Sequence, residues 1–130
     1  MFSRRRLLVS AMVAASVLSV PAYAAETINF TDANFDAAVK AGRSILVEIH
    51  APWCPTCKAQ APILSELQKA AKFKDLLVMR VDFDSQKDAV RRLGARSQST
   101  LIVFKRGEET GRSVGDTNRG SIATLLDKAV

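Results

Sequence analysis

Cys54 and Cys57 are the only cysteines in 130 residues, and two residues separate them. The run Ile45-Leu46-Val47-Glu48-Ile49-His50-Ala51 before them reads as a strand, and Ala59 to Ala71 after them reads as a helix. A Cys-x-x-Cys where a strand hands over to a helix reads as a dithiol redox site. The first cysteine then sits at a helix N-terminus, where unpaired N–H groups and the helix dipole favour a thiolate. Thiolate is the attacking species in disulfide exchange. The second cysteine lies one turn further in and can close a small disulfide ring with the first. A purely structural role for such a bridge is disfavoured, because loop-closure stabilisation grows with loop length and this loop is nearly empty.

The elements that must position this pair follow from periodicity. Thr27-Ile28-Asn29-Phe30 reads as a short first strand. Thr31 or Asp32 can cap a first helix, with Phe35, Ala38 and Val39 on one face and Gly42 ending it. Ile45 to Ile49 is almost continuously apolar, as expected of a central strand covered on both sides. The second helix carries Ile63, Leu64, Leu67, Ala70 and Ala71 at helical spacing, with Pro62 removing one backbone bond inside it. Leu76 to Asp82 reads as the next strand, parallel to its predecessor because a helix intervenes. Asp84 or Ser85 is expected to cap a third helix with Ala89, Val90 and Leu93 inward and Gly94 closing it. Thr100 to Phe104 is a strand, and Arg106-Gly107 turns it into an antiparallel Thr110 to Val114. Thr117 or Asn118 opens a last helix with Ile122, Leu125, Leu126 and Ala129 buried. The order βαβαβαββα predicts an α/β fold, a mixed central sheet with helices on both faces.

Ala51-Pro52-Trp53-Cys54-Pro55-Thr56-Cys57-Lys58, with Pro62 five residues beyond the second cysteine, resembles the thioredoxin family. Phe104-Lys105-Arg106-Gly107-Glu108 is similar to that family's last hairpin, and Val114-Gly115 to its lead into the final helix. The similarity runs from about Thr27 to the C-terminus, and it implies a thioredoxin fold. It also implies roles. Cys54 is expected to attack a substrate disulfide and Cys57 to resolve the mixed disulfide. Glu48 stands where the family has a buried aspartate that accepts the proton of the second cysteine. The alternative for Glu48 is an ion pair with Arg80, which stands where the family usually has a lysine. Trp53, Pro55, Thr56, Ser99 and Thr100 are expected to meet the substrate. His50 replaces a usual aromatic and can tune Cys54, pack at the sheet end or supply a metal ligand. Lys58 can favour a nearby thiolate or stand solvated on its helix.

Ser99 is the main departure. The family places a cis-proline just before the strand that begins at Thr100, facing the cysteines, and Arg96-Ser97-Gln98-Ser99-Thr100 has none. A non-proline cis bond costs about 3–4 kcal/mol, so the Gln98–Ser99 bond is expected to be trans or strained. A serine there also leaves room beside two thiols, a ligand type that suits soft metals.

The N-terminus reads as an export signal over residues 1–24. Arg4-Arg5-Arg6 is a basic start, Leu7 to Val20 an apolar run of 14 residues, and Ala22-Tyr23-Ala24 a cleavage signature, with the cut before Ala25. As a helix that run reaches about 21 Å, short of the ~30 Å hydrocarbon core. An uncleaved anchor is the alternative. The arginines also resemble a twin-arginine signal, so either export route is open. The domain is then Ala25 to Val130. Losing three arginines lowers 19 basic residues to 16 against 13 acidic ones, a formal charge of +3 in place of +6. No basic stripe with interleaved aromatics is visible, so nucleic acid is not an expected partner.

The expected activity is thiol–disulfide exchange with protein disulfides by a periplasmic, monomeric reductase. It needs no organic cofactor, and it implies a membrane electron donor because the periplasm has no reducing buffer. The alternatives are a disulfide oxidase or isomerase, and a non-catalytic module in which Cys54, Cys57 and perhaps His50 hold copper or zinc.

Overall fold

Five strands, β1 (Glu26–Asn29), β2 (Ile45–His50), β3 (Leu77–Asp82), β4 (Thr100–Lys105) and β5 (Glu108–Val114), form one sheet in the order β1-β3-β2-β4-β5. This computed structural model describes Ser16 and residues 25–130. The expected export signal therefore lies, Ser16 apart, outside the described residues. Among the described residues no helix is long and apolar enough to cross a membrane.

β1 and β2 both run parallel to β3, whereas β4 is antiparallel to β2 and β5 to β4. The sheet is thus mixed, and β2 lies at its centre with both edges paired. Side chains alternate across a strand, so β2 feeds two cores at once. Ile45, Val47 and Ile49 pack with Phe35 and Ala38 of α1 (Asp32–Lys40) and with Ala89 and Val90 of α3 (Lys87–Arg92). Leu46 packs on the other face with Leu64 and Leu67 of α2 (Pro55–Gln68) and Ile122, Leu125 and Leu126 of α4 (Arg119–Asp127). Fully burying one such aliphatic side chain contributes about 2 kcal/mol. Glu48 follows Leu46 by two positions, so the same alternation points it beneath α2.

The local signals mostly land where the sequence puts them. Thr31 caps α1 by accepting from the Asn34 amide, and Asn118 caps α4 by accepting from Ser121. Gly42 and Gly94 follow α1 and α3 with φ of +68° and +65°, a region that suits glycine. Pro62 lies inside α2 without ending it. At Gly111 in β5 an added Cβ would come within 3.0 Å of Leu125 and 3.1 Å of Lys128, so α4 packs directly on that strand.

β5 begins at Glu108, two residues before the expected Thr110, and three helix boundaries differ. α2 begins at Pro55, not Ala59, because proline is favoured in the first turn and the Cys54 sulfur accepts from the Cys57 amide at 3.1 Å. It ends at Gln68, since Ala70 turns to an extended backbone and Ala71–Phe73 makes a separate 3-10 turn. Neither Asp84 nor Ser85 caps α3. The Asp82 carboxylate instead accepts from the Asp84 and Ser85 amides at 3.0 and 2.8 Å, which delays the helix to Lys87.

Candidate active site

Cys54 is the N-cap of α2, at the end of the loop that leaves β2. Its amide donates to Ala51 O at 3.1 Å, and its own carbonyl accepts the first helical bond from Lys58 at 3.1 Å. Cys57 follows one turn in. Ala51, Cys54 and Cys57 form a small apolar cluster with Phe83 against it. Both sulfurs are free thiols in this structure. One hydroxyl sits within hydrogen-bond distance of both. Ser99 Oγ lies 3.0 Å from Cys54 Sγ and 3.1 Å from Cys57 Sγ.

The two thiols are nearly equally hidden, at 2% and 1% exposure, yet their acidities part. Burial alone would push the Cys54 thiol up. Hydrogen bonds from Cys57, from the Ser99 hydroxyl and from the Cys57 and Thr56 backbone outweigh that and lower it. Burial also pushes the Cys57 thiol up, and there the neighbouring Cys54 adds to the rise. The expected asymmetry is therefore one of chemical environment, not of exposure. Cys54 is the sulfur at which negative charge collects, as the helix N-terminus favours.

Ser99 reaches this position through its backbone. No peptide bond among the described residues is cis, and Ser99 has φ of +63°. A non-glycine residue there is strained by about 1–2 kcal/mol. Three hydrogen bonds hold it: its amide donates to Ile49 O at 2.8 Å, and its carbonyl accepts from Gly115 N at 3.0 Å and Gln60 Nε2 at 3.3 Å.

The remaining expected site residues divide. Trp53 is 55% exposed, and its indole N–H donates to Asp84 at 2.7 Å. Pro55 is exposed and Thr56 half-buried, so all three of these lie at the surface around Cys54. Ser99 and Thr100 do not. They are 3% and 1% exposed, and the Thr100 hydroxyl donates inward to Ser97 O at 2.8 Å. Ser99 faces the thiols and not the solvent. Lys58 is exposed on α2.

Glu48 is 2% exposed beneath α2, and its carboxylate accepts from Arg80 Nε at 3.3 Å and Nη2 at 3.5 Å. The parallel register that pairs Glu48 with Arg80 creates this contact. Among the described residues no hydrogen bond joins Glu48 to Cys57. His50 turns the same way: its Nδ1 is buried without a hydrogen-bond partner, 3.7 Å from Glu48. No group of three or more His, Cys, Asp or Glu among the described residues is arranged to hold a metal ion, so His50 does not join the two thiols in a ligand set.

Gln60 is the residue that sequence reasoning missed. It is 1% exposed and donates to both Ser99 O and, at 2.8 Å, Asp116 O. The signal was present: Cys57, Gln60, Leu64 and Leu67 form one helical stripe, and a polar member of a buried stripe needs a partner.

The thioredoxin family model matches residues 26–128. The chain is 37% identical over 109 residues to thioredoxin C-2 of Corynebacterium nephridii, covering 82% of this chain and 98% of that one. It is 36% identical over 101 residues to a Pseudomonas aeruginosa thioredoxin, covering 77% and 93%. A solved structure, Trxlp from Edwardsiella tarda, superposes with a TM-score of 0.76 at 37% identity, over 78% of this chain and 98% of that one. With a matching model over most of its length and relatives at this identity, the chain belongs to the thioredoxin family.

Proposed function

We propose that this chain is an exported thiol–disulfide oxidoreductase that reduces protein disulfides in the periplasm, drawing electrons from a membrane donor. The observation that carries the exchange chemistry is the Cys54 sulfur at the N-cap of α2, accepting from the Cys57 amide at 3.1 Å with the Cys57 thiol one turn in; hydrogen bonds lower the Cys54 thiol and burial raises that of Cys57. Cys54 thiolate attacks one sulfur of a substrate disulfide, and the other substrate sulfur leaves. Cys57 then attacks Cys54 Sγ, closing the Cys54–Cys57 disulfide and freeing the reduced substrate. Trp53, Pro55 and Thr56 form the surface around the attacking sulfur, where a substrate chain would lie. Cys57 must give up its proton to attack. Glu48 is the buried carboxylate on that side of the sheet, paired with Arg80. The basic start and alanine cleavage signature of residues 1–24 support export.

A second reading, a disulfide oxidase or isomerase, is favoured by the Ser99 contact to Cys54, because stabilising the reduced thiolate makes a disulfide a stronger oxidant. The equilibrium reduction potential against glutathione decides between them. A value near about −270 mV fits a reductase and one near about −120 mV a strong oxidant. Insulin reduction by the purified protein, together with mass spectrometry of its N-terminus from a periplasmic extract, tests the rest. No turnover would sink the exchange reading, and a chain that keeps Met1 in the membrane fraction would sink the export reading.

A further inference from the structure

A serine hydroxyl has one proton to give and lone pairs to receive one. Ser99 Oγ stands between the two sulfurs, 3.0 Å from Cys54 and 3.1 Å from Cys57, and is 3% exposed. It can accept from one sulfur while donating to the other. No charged side chain among the described residues hydrogen-bonds either sulfur. The charged groups on the surrounding elements are Glu48 and His50 on β2, Arg80 and Asp82 on β3, Lys58 on α2 and Asp116 after β5. Glu48 is bound to Arg80, Asp82 to the Ser85 turn and Asp116 to the start of α4. The strained backbone of Ser99 is held by Ile49, Gly115 and Gln60, which is the mark of a conformation maintained for a task.

From this geometry we infer that Ser99 is a catalytic residue whose hydroxyl holds the Cys54 thiolate in the reduced protein and carries the Cys57 proton to the sulfur that leaves Cys54. In the resting dithiol, Cys57 S–H donates to Oγ and Oγ–H donates to Cys54 S⁻. The more acidic character of Cys54 agrees with that direction. In the mixed disulfide, Oγ takes the proton of Cys57 as its sulfur attacks Cys54 Sγ. The bond from Cys54 to the substrate sulfur breaks, and Oγ passes its own proton to that departing sulfur. One disulfide forms as one breaks, the hydroxyl is restored, and no external acid or base is consumed. This rests on the exchange reading above.

The test uses the full exported protein with Ser99→Ala and Ser99→Gly. Both remove the hydroxyl, but glycine relaxes the backbone and alanine does not. Cys54 alkylation by iodoacetamide, followed by mass spectrometry across pH, should show its midpoint raised by about one pH unit in both variants. Release of glutathione from a preformed Cys54–glutathione mixed disulfide should slow about 100-fold in both. Unchanged midpoints and release rates, or a change in the alanine variant that glycine does not share, would overturn the proposal. The alkylation titration needs no turnover, so it reads the Ser99–Cys54 contact even if wild-type protein fails to reduce insulin, a result that would sink only the exchange reading.

Discussion

Gln60 Nε2 lies 3.3 Å from the carbonyl oxygen of Ser99, so the buried face of α2 grips the same residue whose hydroxyl touches both sulfurs. The same amide donates to Asp116 at 2.8 Å, while Gln60 Oε1 is buried with no partner. Gln60→Leu removes two donated bonds and also one orphaned acceptor, so the two changes partly cancel. The expected loss of stability is about 1 kcal/mol, read by urea denaturation. The informative readout is Cys54 alkylation against pH, whose midpoint should move upward, though less than in Ser99→Ala. A stability loss with an unmoved midpoint would mean that the backbone bonds of Ser99 suffice to hold it.

Glu48 and Arg80 should respond unequally to mutation. The Glu48 side chain is 3% exposed and that of Arg80 41%. Arg80→Met strands a buried carboxylate and should cost about 3 kcal/mol. Glu48→Gln leaves a guanidinium that water can reach and should cost about 1 kcal/mol. Equal losses in chemical denaturation would show that burial does not set the energetics of this pair.

The two cysteines should fail differently. Cys54→Ser should abolish insulin reduction, because the attacking thiolate is gone. Cys57→Ser should still attack and then accumulate mixed disulfides, visible as substrate-sized mass additions on Cys54. Normal turnover by Cys57→Ser would mean that the roles are reversed or that the second thiol is unnecessary.

Acid should unfold the protein partly through Asp82. The Ser85 amide, then the Ser85 hydroxyl and the Asp84 amide, hold its carboxylate below the usual range, and the charge of His50 adds to this. A group depressed in the folded state stabilises it at pH above the unfolded value of about 3.9, and that contribution is lost as pH falls through the folded value. Asp82→Ala should therefore cost about 1 kcal/mol at neutral pH, as for a lost cap, and flatten the decline in stability below about pH 4. Parallel pH–stability curves for the two proteins would remove Asp82 from the acid response.

The sequence by itself determined the element order, both faces of the sheet and the placing of two thiols one helical turn apart. These are local properties. Alternation sends Leu46 and Val47 to opposite cores, helical spacing aligns Ile122, Leu125 and Leu126, and Cys54 and Cys57 share one turn of one helix. The boundaries that moved were also local contests, such as Asp82 accepting from the amides of Asp84 and Ser85, the two residues expected to cap α3. The tertiary structure decided what surrounds the pair. Ser99 is 45 residues from Cys54 and Asp116 is 56 from Gln60, and they meet only because β4 lies beside β2 in the sheet. The absence of proline at position 99 was legible, but its consequence was not. Whether Ser99 turned its hydroxyl to water or to the thiols depended on its left-handed backbone, which no propensity of serine selects and which hydrogen bonds from three distant elements impose.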